Sequence, residues 1–294
     1  MKTFKAFVER HPLLNFYVLT FAISWGGILF AVGLGPGGFS ATPEHLQKAL
    51  PYAVPAMFLG PSVACILLTG LLSGRAGFRD LLVRMTRWRV GARWYAVALL
   101  TAPLVFTAVL LALSLTSSEF LPRIFTAGDK ASLVLMGLAV GVDAIFEELG
   151  WTGFATPRMR LRYGVPATGL FVGVLWQAWH LFQGYWASGV TTGEVSMTLW
   201  VAGTVVAILV GQLVAFRVLM VWVYERTNGS LLVAILMHAS LIASSIILFP
   251  PLAVVANLIS GYATAAVLWI IFAVIVLANH GHLTRQPSLL GRVA

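Results

Sequence analysis

Asp143-Ala144-Ile145-Phe146-Glu147-Glu148-Leu149-Gly150-Trp151-Thr152-Gly153-Phe154 decides how this chain must fold. The stretch closes an apolar run, 132–155, of the length that crosses a bilayer, and it places three carboxylates within that run. Ionised side chains are expensive in hydrocarbon, and those that persist there mark proton, ion or substrate sites inside a helical bundle. On a helix Asp143 and Glu147 are four apart and share a face, whereas Glu148 points about 100° away. The two glutamates are therefore expected to do different jobs, one facing a cavity and the other tying its helix to a neighbour.

Seven further segments are long and apolar enough to span: 13–33, 52–73, 94–116, 166–187, 198–222, 230–249 and 251–279. Of the 294 residues 59% are hydrophobic and only 10% charged, with a mean hydropathy of +0.91. Soluble domains carry about 25% charged residues, so the expected fold is an all-α polytopic membrane protein of about eight transmembrane helices, with the polar site inside the bundle. Residues 1–294 read as a single membrane domain, without repeats or low-complexity linkers. The basic residues Lys2, Lys5 and Arg10 precede a first apolar run too long for a signal-peptide core, which reads as a transmembrane helix. Phe249-Pro250-Pro251 predicts a tight hairpin between the last two spans, because proline cannot continue a helix. The single cysteine, Cys65, excludes an intrachain disulfide and a cysteine-rich metal site.

The net charge of +9 follows alternate loops. One side receives Lys2, Lys5 and Arg10, six arginines between Arg75 and Arg93, then Arg158, Arg160, Arg162, Arg217, Arg226, Arg285 and Arg292; the other receives Lys48, Arg123 and Lys130. The positive-inside rule then puts both termini in the cytoplasm, as an even number of spans also requires. Basic residues spread over alternate loops do not make a nucleic-acid face. In the 74–93 segment Phe78, Leu81, Leu82, Val83, Met85 and Trp88 interleave with the arginines, the pattern of a topology anchor or of a segment lying along headgroups.

Two more spans carry titratable groups. Trp176-Gln177-Ala178-Trp179-His180 puts Trp176 and His180 on one face, and His238-Ala239-Ser240-Leu241-Ile242 follows the turn-and-cap signal Asn228-Gly229-Ser230. Taken singly, each group has a structural reading: a histidine bonding between helices, a contact worth about 0.6 kcal/mol, Glu148 as a helix clamp, tryptophans as packing. Asp143 reads equally as a proton-path group or as a histidine's partner. Together, one glutamate and two histidines suffice to bind and polarise a water, with or without a divalent metal. Such a glutamate takes a proton from water and returns it to a leaving group; zinc, if used, would lower the pKa of that water. The spacing is not that of an HExxH helix.

These motifs, with Pro157-Arg158 and the lead-in Arg217 to Leu232, resemble the CPBP family, the CAAX proteases and bacteriocin-processing (Abi) proteins, over residues 140–245. The family pattern is EExxxR, an aromatic residue four before a histidine, and a histidine four before a polar residue. The resemblance implies an intramembrane endopeptidase in which Glu147 activates water and His180 and His238 position it or, if a metal is used, bind zinc or another divalent ion together with Glu147. Glu148 and Trp176 take supporting roles, and Asp143 is a further polar group near them. The implied partner is a membrane-associated peptide or protein, prenylated in some members, and the implied location is the plasma membrane. Two positions depart from the pattern. Thr152 stands where an arginine is expected, with Arg158, about 15 Å further along the axis than Glu147, as its candidate replacement. Ile242 stands where a polar oxyanion donor is expected, with Ser240 or Gln177 as candidate substitutes. These departures carry the alternative of a catalytically impaired binding or immunity-type protein. A proton-coupled transporter is the remaining alternative; it predicts repeated halves, which the sequence lacks.

Overall fold

The computed structural model describes residues 2–33 and 43–284, which contain helices and connecting turns and no strand. Helix α1 (Lys2–Arg10) leads into α2 (Pro12–Gly33), where Pro12 occupies the first turn, the one place that needs no backbone donor. α3 (Pro43–Met85) packs along α2 and is redirected at Gly74, whose φ of 53° is cheap only without a Cβ. α4 (Ala92–Ser114) and the short α5 (Arg123–Thr126) precede α6 (Lys130–Gly141), which Asp129 caps by accepting from the Ser132 amide at 3.0 Å. Then come α7 (Ala144–Gly150), a π-helical turn (Trp151–Ala155), α8 (Thr156–Arg160), α9 (Val165–Trp179) and α10 (Leu181–Ala187). α11 (Met197–Val210), α12 (Gln212–Arg226), α13 (Leu231–Leu248) and α14 (Val254–Ala278) complete the described chain.

Among the described residues six helical stretches are long and apolar enough to cross a membrane: Pro12–Gly33, Gln47–Met85, Ala92–Ser114, Met197–Arg226, Leu231–Leu248 and Val254–Ala278. The other two expected spans, 132–155 and 166–187, are not continuous helices. The first breaks at Val142 and Asp143 and then widens into the π turn; the second stops at His180. These broken spans are the ones that carry Glu147, Glu148 and His180, so irregular backbone occurs where it is enclosed by protein. The protein is an all-α, multi-pass membrane protein.

Two expectations change. The turn at Phe249-Pro250-Pro251 is present, but α14 lies against α12 and α4 instead of forming a hairpin with α13. Arg217, grouped by sequence with the loop charges, sits inside α12 and is fully buried. Arg285 and Arg292 of the same charge pattern lie outside the described residues.

α9 and α12 meet backbone to backbone. A Cβ at Gly169 would stand 2.6 Å from Val218 Cα, and one at Gly173 would stand 3.2 Å from Arg217 Cβ. Such small residues allow the close approach that drives helix association in membranes. α13 packs against α4, α6 and α7. The crossing of α7, α9, α12 and α13 sets four polar side chains within reach of one another.

Candidate active site

The motif helix is held from outside at its distorted end. Pro157 has no N–H to give the carbonyl of Gly153 four residues earlier, and Arg84 Nη1 of α3 supplies that donor at 2.9 Å while also reaching the Tyr224 hydroxyl at 3.2 Å. Thr156 Oγ1 donates to the Trp151 carbonyl five residues back at 2.7 Å, in keeping with the wider π turn. On the other side, Ser62 Oγ donates to the Phe146 carbonyl at 2.5 Å. Gly150 lets α7 lie directly on α3, since a Cβ there would meet the Pro61 backbone oxygen at 2.6 Å.

Glu148 is fully buried and fully occupied. Arg217 holds it through both terminal nitrogens, Nη1 on Oε2 and Nη2 on Oε1, each at 2.8 Å. The Thr152 hydroxyl donates to Oε2, and His238 Nδ1 lies 2.8 Å from Oε1. A bidentate guanidinium is the geometry in which a buried carboxylate is best compensated. Arg217 also stacks over the Trp176 ring at 4.0 Å. It thus ties α12 to both α7 and α9.

Glu147 is 2% exposed and points the other way. Its Oε2 accepts from Trp176 Nε1 at 2.7 Å, and its Oε1 faces His238 Nε2 across 3.9 Å. Trp176 is the shared surface of the site: its ring meets His238 edge-on at 5.0 Å and His180 edge-on at 5.7 Å between centroids. His180, at the end of α9, has Nδ1 2.8 Å from the Trp176 carbonyl.

Those partners fix the tautomers of the neutral rings. A carbonyl and an ionised carboxylate only accept, so both histidines carry a hydrogen on Nδ1 and keep an acceptor at Nε2. With Glu147 ionised and His238 neutral, Glu147 Oε1 and His238 Nε2 would be two acceptors 3.9 Å apart. A water placed beside them gives one hydrogen to each and turns its lone pairs outward.

Each imidazole is oriented through Nδ1 with Nε2 free, the second-layer arrangement of ligating histidines. Yet among the described residues no three His, Cys, Asp or Glu side chains stand together as a metal-holding group. Glu147, His180 and His238 are not gathered as a three-ligand group in this arrangement.

The remaining sequence candidates are dispersed. Arg158 lies over the Phe154 ring at 3.6 Å and donates to the Phe154 carbonyl at 3.1 Å, so it does not reach Glu148. Ser240 donates to the Leu99 carbonyl of α4 at 2.8 Å and is turned away from Glu147. Asp143 is half-exposed at the start of α7, and its side chain makes no capping hydrogen bond there. Ile242, one turn after His238 on α13, offers no polar group. The functional residue that sequence reading missed is Arg217. Its signal was available: an arginine inside an apolar segment is expensive and calls for a buried partner.

No curated protein matches this chain. Residues 129–244 match the family model described as Rce1-like, Type II CAAX prenyl endopeptidase. That stretch contains Glu147, Glu148, His180, Arg217 and His238, so the site lies within the part of the chain that is similar to this family.

Proposed function

We propose that the protein is an intramembrane endopeptidase in which Glu147 is the general base. The observation that carries this reading is the approach of Glu147 Oε1 to His238 Nε2 at 3.9 Å. Water bound to both is oriented toward the carbonyl carbon of a peptide bond. Glu147 takes one proton as the new C–O bond forms, and gives it to the amide nitrogen as the C–N bond breaks. Trp176 Nε1 holds the other carboxylate oxygen, so the base acts through a single defined atom. Glu148, locked between Arg217 and Thr152, fixes the His238 ring. His180, whose ring also meets Trp176 edge-on, donates when protonated to developing charge on the carbonyl oxygen. The substrate class is a membrane-associated peptide or protein end, with a prenylated C-terminus the form suggested by the matched family. Both termini are assigned to the cytoplasm on the charge pattern.

The test is cleavage of membrane-anchored and prenylated peptides by the protein in nanodiscs, with Glu147→Gln and with chelator. Loss of roughly 10²–10⁴ in rate on Glu147→Gln is the expected result for a general base. Unchanged cleavage in that variant would overturn the assignment, and a chelator effect would bring a metal into it. Ile242 is the one observation favouring a second reading, a binding protein without turnover, since the site lacks the donor its backbone position would supply. No cleavage by the wild type, with substrate binding retained, would select it.

A further inference from the structure

The arginine-rich segment that follows Gly74 takes no part in the chemistry above, and its two sides are built differently. Its inner side is pinned to the cytoplasmically assigned ends of the site helices. Leu81 is buried against the position of Gly153, Arg84 bonds to the Gly153 carbonyl and the Tyr224 hydroxyl, Ser230 Oγ donates to the Arg87 carbonyl at 2.7 Å, and Arg87 donates to the Asn228 carbonyl. The Tyr95 hydroxyl fixes the next turn by donating to the Trp88 carbonyl at 2.6 Å.

Its outer side presents Arg75, Arg79, Arg89 and Arg93, all exposed. Between them stand Leu82 and Trp88, 60% and 62% exposed. The one acid of the segment, Asp80, is committed to Arg84 at 2.8 Å. Among the described residues none of the four outer arginines has an ion pair. Arg89 and Arg93 instead lie over the Trp88 and Trp94 rings, at 5.2 and 5.3 Å. A topology signal requires positive charge anywhere in a loop. It does not require four unpaired guanidinium groups interleaved with exposed apolar side chains on a braced backbone. That combination meets a layer that is anionic and hydrogen-bond accepting at one depth and apolar just beneath it, which is the chemistry of phospholipid phosphates above acyl chains.

We propose that Arg75, Arg79, Arg89 and Arg93, with Leu82 and Trp88, form a binding site for anionic phospholipid headgroups of the surrounding bilayer. Charge complementarity selects the occupant: among the described residues these four cations have no acidic partner, and the phosphodiesters at a bilayer surface supply a dense array of such partners. The proposal concerns binding alone and stands apart from the peptidase assignment.

The experiment places the full chain in phosphatidylcholine nanodiscs containing increasing brominated phosphatidylglycerol or, in parallel, brominated phosphatidylcholine. Tryptophan quenching is read as the difference between wild type and Trp88→Phe, which isolates Trp88. The expected result is half-maximal quenching at a mole fraction about tenfold lower for the anionic lipid, given the attraction each surface arginine contributes. The preference should vanish in the Arg75→Gln/Arg79→Gln/Arg89→Gln/Arg93→Gln variant and largely survive in the corresponding four-lysine variant. Equal quenching by both lipids in the wild type would overturn the proposal, as would a preference that persists in the glutamine variant. Abolition of the preference by millimolar inorganic phosphate would assign the arginines to a soluble anion instead, and so would also overturn it.

Discussion

Trp176 Nε1 donates to Oε2 of Glu147 and leaves Oε1 as the oxygen that the proposed base would use. Trp176→Phe keeps a ring under Arg217 and beside His238 but removes the N–H. Hydrogen bonds to charged groups are worth about 1.5–3 kcal/mol, so the expected outcome is a fall of roughly 10–100-fold in kcat with KM little changed, measured on a cleaved peptide. At Ile242 the expectation runs the other way. One oxyanion donor is worth about 10²–10³ in rate, and Ile242→Asn on the His238 face of α13 should raise kcat by at least about tenfold. A variant no faster than wild type would mean that the carbonyl oxygen sits elsewhere. For Arg217 the readout is stability: Arg217→Met leaves the Glu148 carboxylate buried without its guanidinium, at a cost of about 3–5 kcal/mol. Adding Glu148→Gln should recover a large part of that loss in unfolding assays in detergent micelles.

Among the elements, the motif span shows where sequence reading reached its limit. That 132–155 holds a buried acidic site follows from three carboxylates in an apolar run. That it is broken into α6, α7 and a π turn does not follow, because the break depends on outside partners such as Arg84, which donates to the Gly153 carbonyl that Pro157 leaves without a donor. The same limit hid Arg217. Its partner Glu148 is 69 residues away, and a rule that sorts arginines by loop has no term for such a distance. Thr152 read as a gap in a motif, and in the fold its hydroxyl fills the space between Glu148 and Arg217. Packing within these elements is testable at glycine. Gly150→Ala drives a Cβ to 2.6 Å from the Pro61 backbone, and overpacking of this kind costs about 1–3 kcal/mol. Gly26→Ala, where nothing lies within 4 Å, should be neutral or slightly stabilising, since alanine is the better helix residue by about 0.5–1 kcal/mol. Thermal unfolding of both variants in one lipid checks the contrast.

For the whole molecule, composition and apolar run lengths were enough to read an all-α multi-pass protein, because hydrocarbon imposes its length requirement on every span separately. Reporter fusions at each terminus should both report the cytoplasm; a split result would remove the parity argument and the orientation of the site with it. The Glu148–Arg217 pair adds a consequence for how the chain is made. Glu148 leaves the ribosome 69 residues ahead of Arg217. At about 5–20 residues per second, the carboxylate waits roughly 3–14 s for the Arg217 guanidinium. During that interval α7 has no stable place in lipid. Nascent chains arrested before α12 emerges should therefore remain bound to the insertion machinery and be extracted by urea, while chains arrested after α12 resist extraction. In Glu148→Gln chains the two arrest points should behave alike. The order of translation thus makes the late arginine the step that releases an early helix into the membrane.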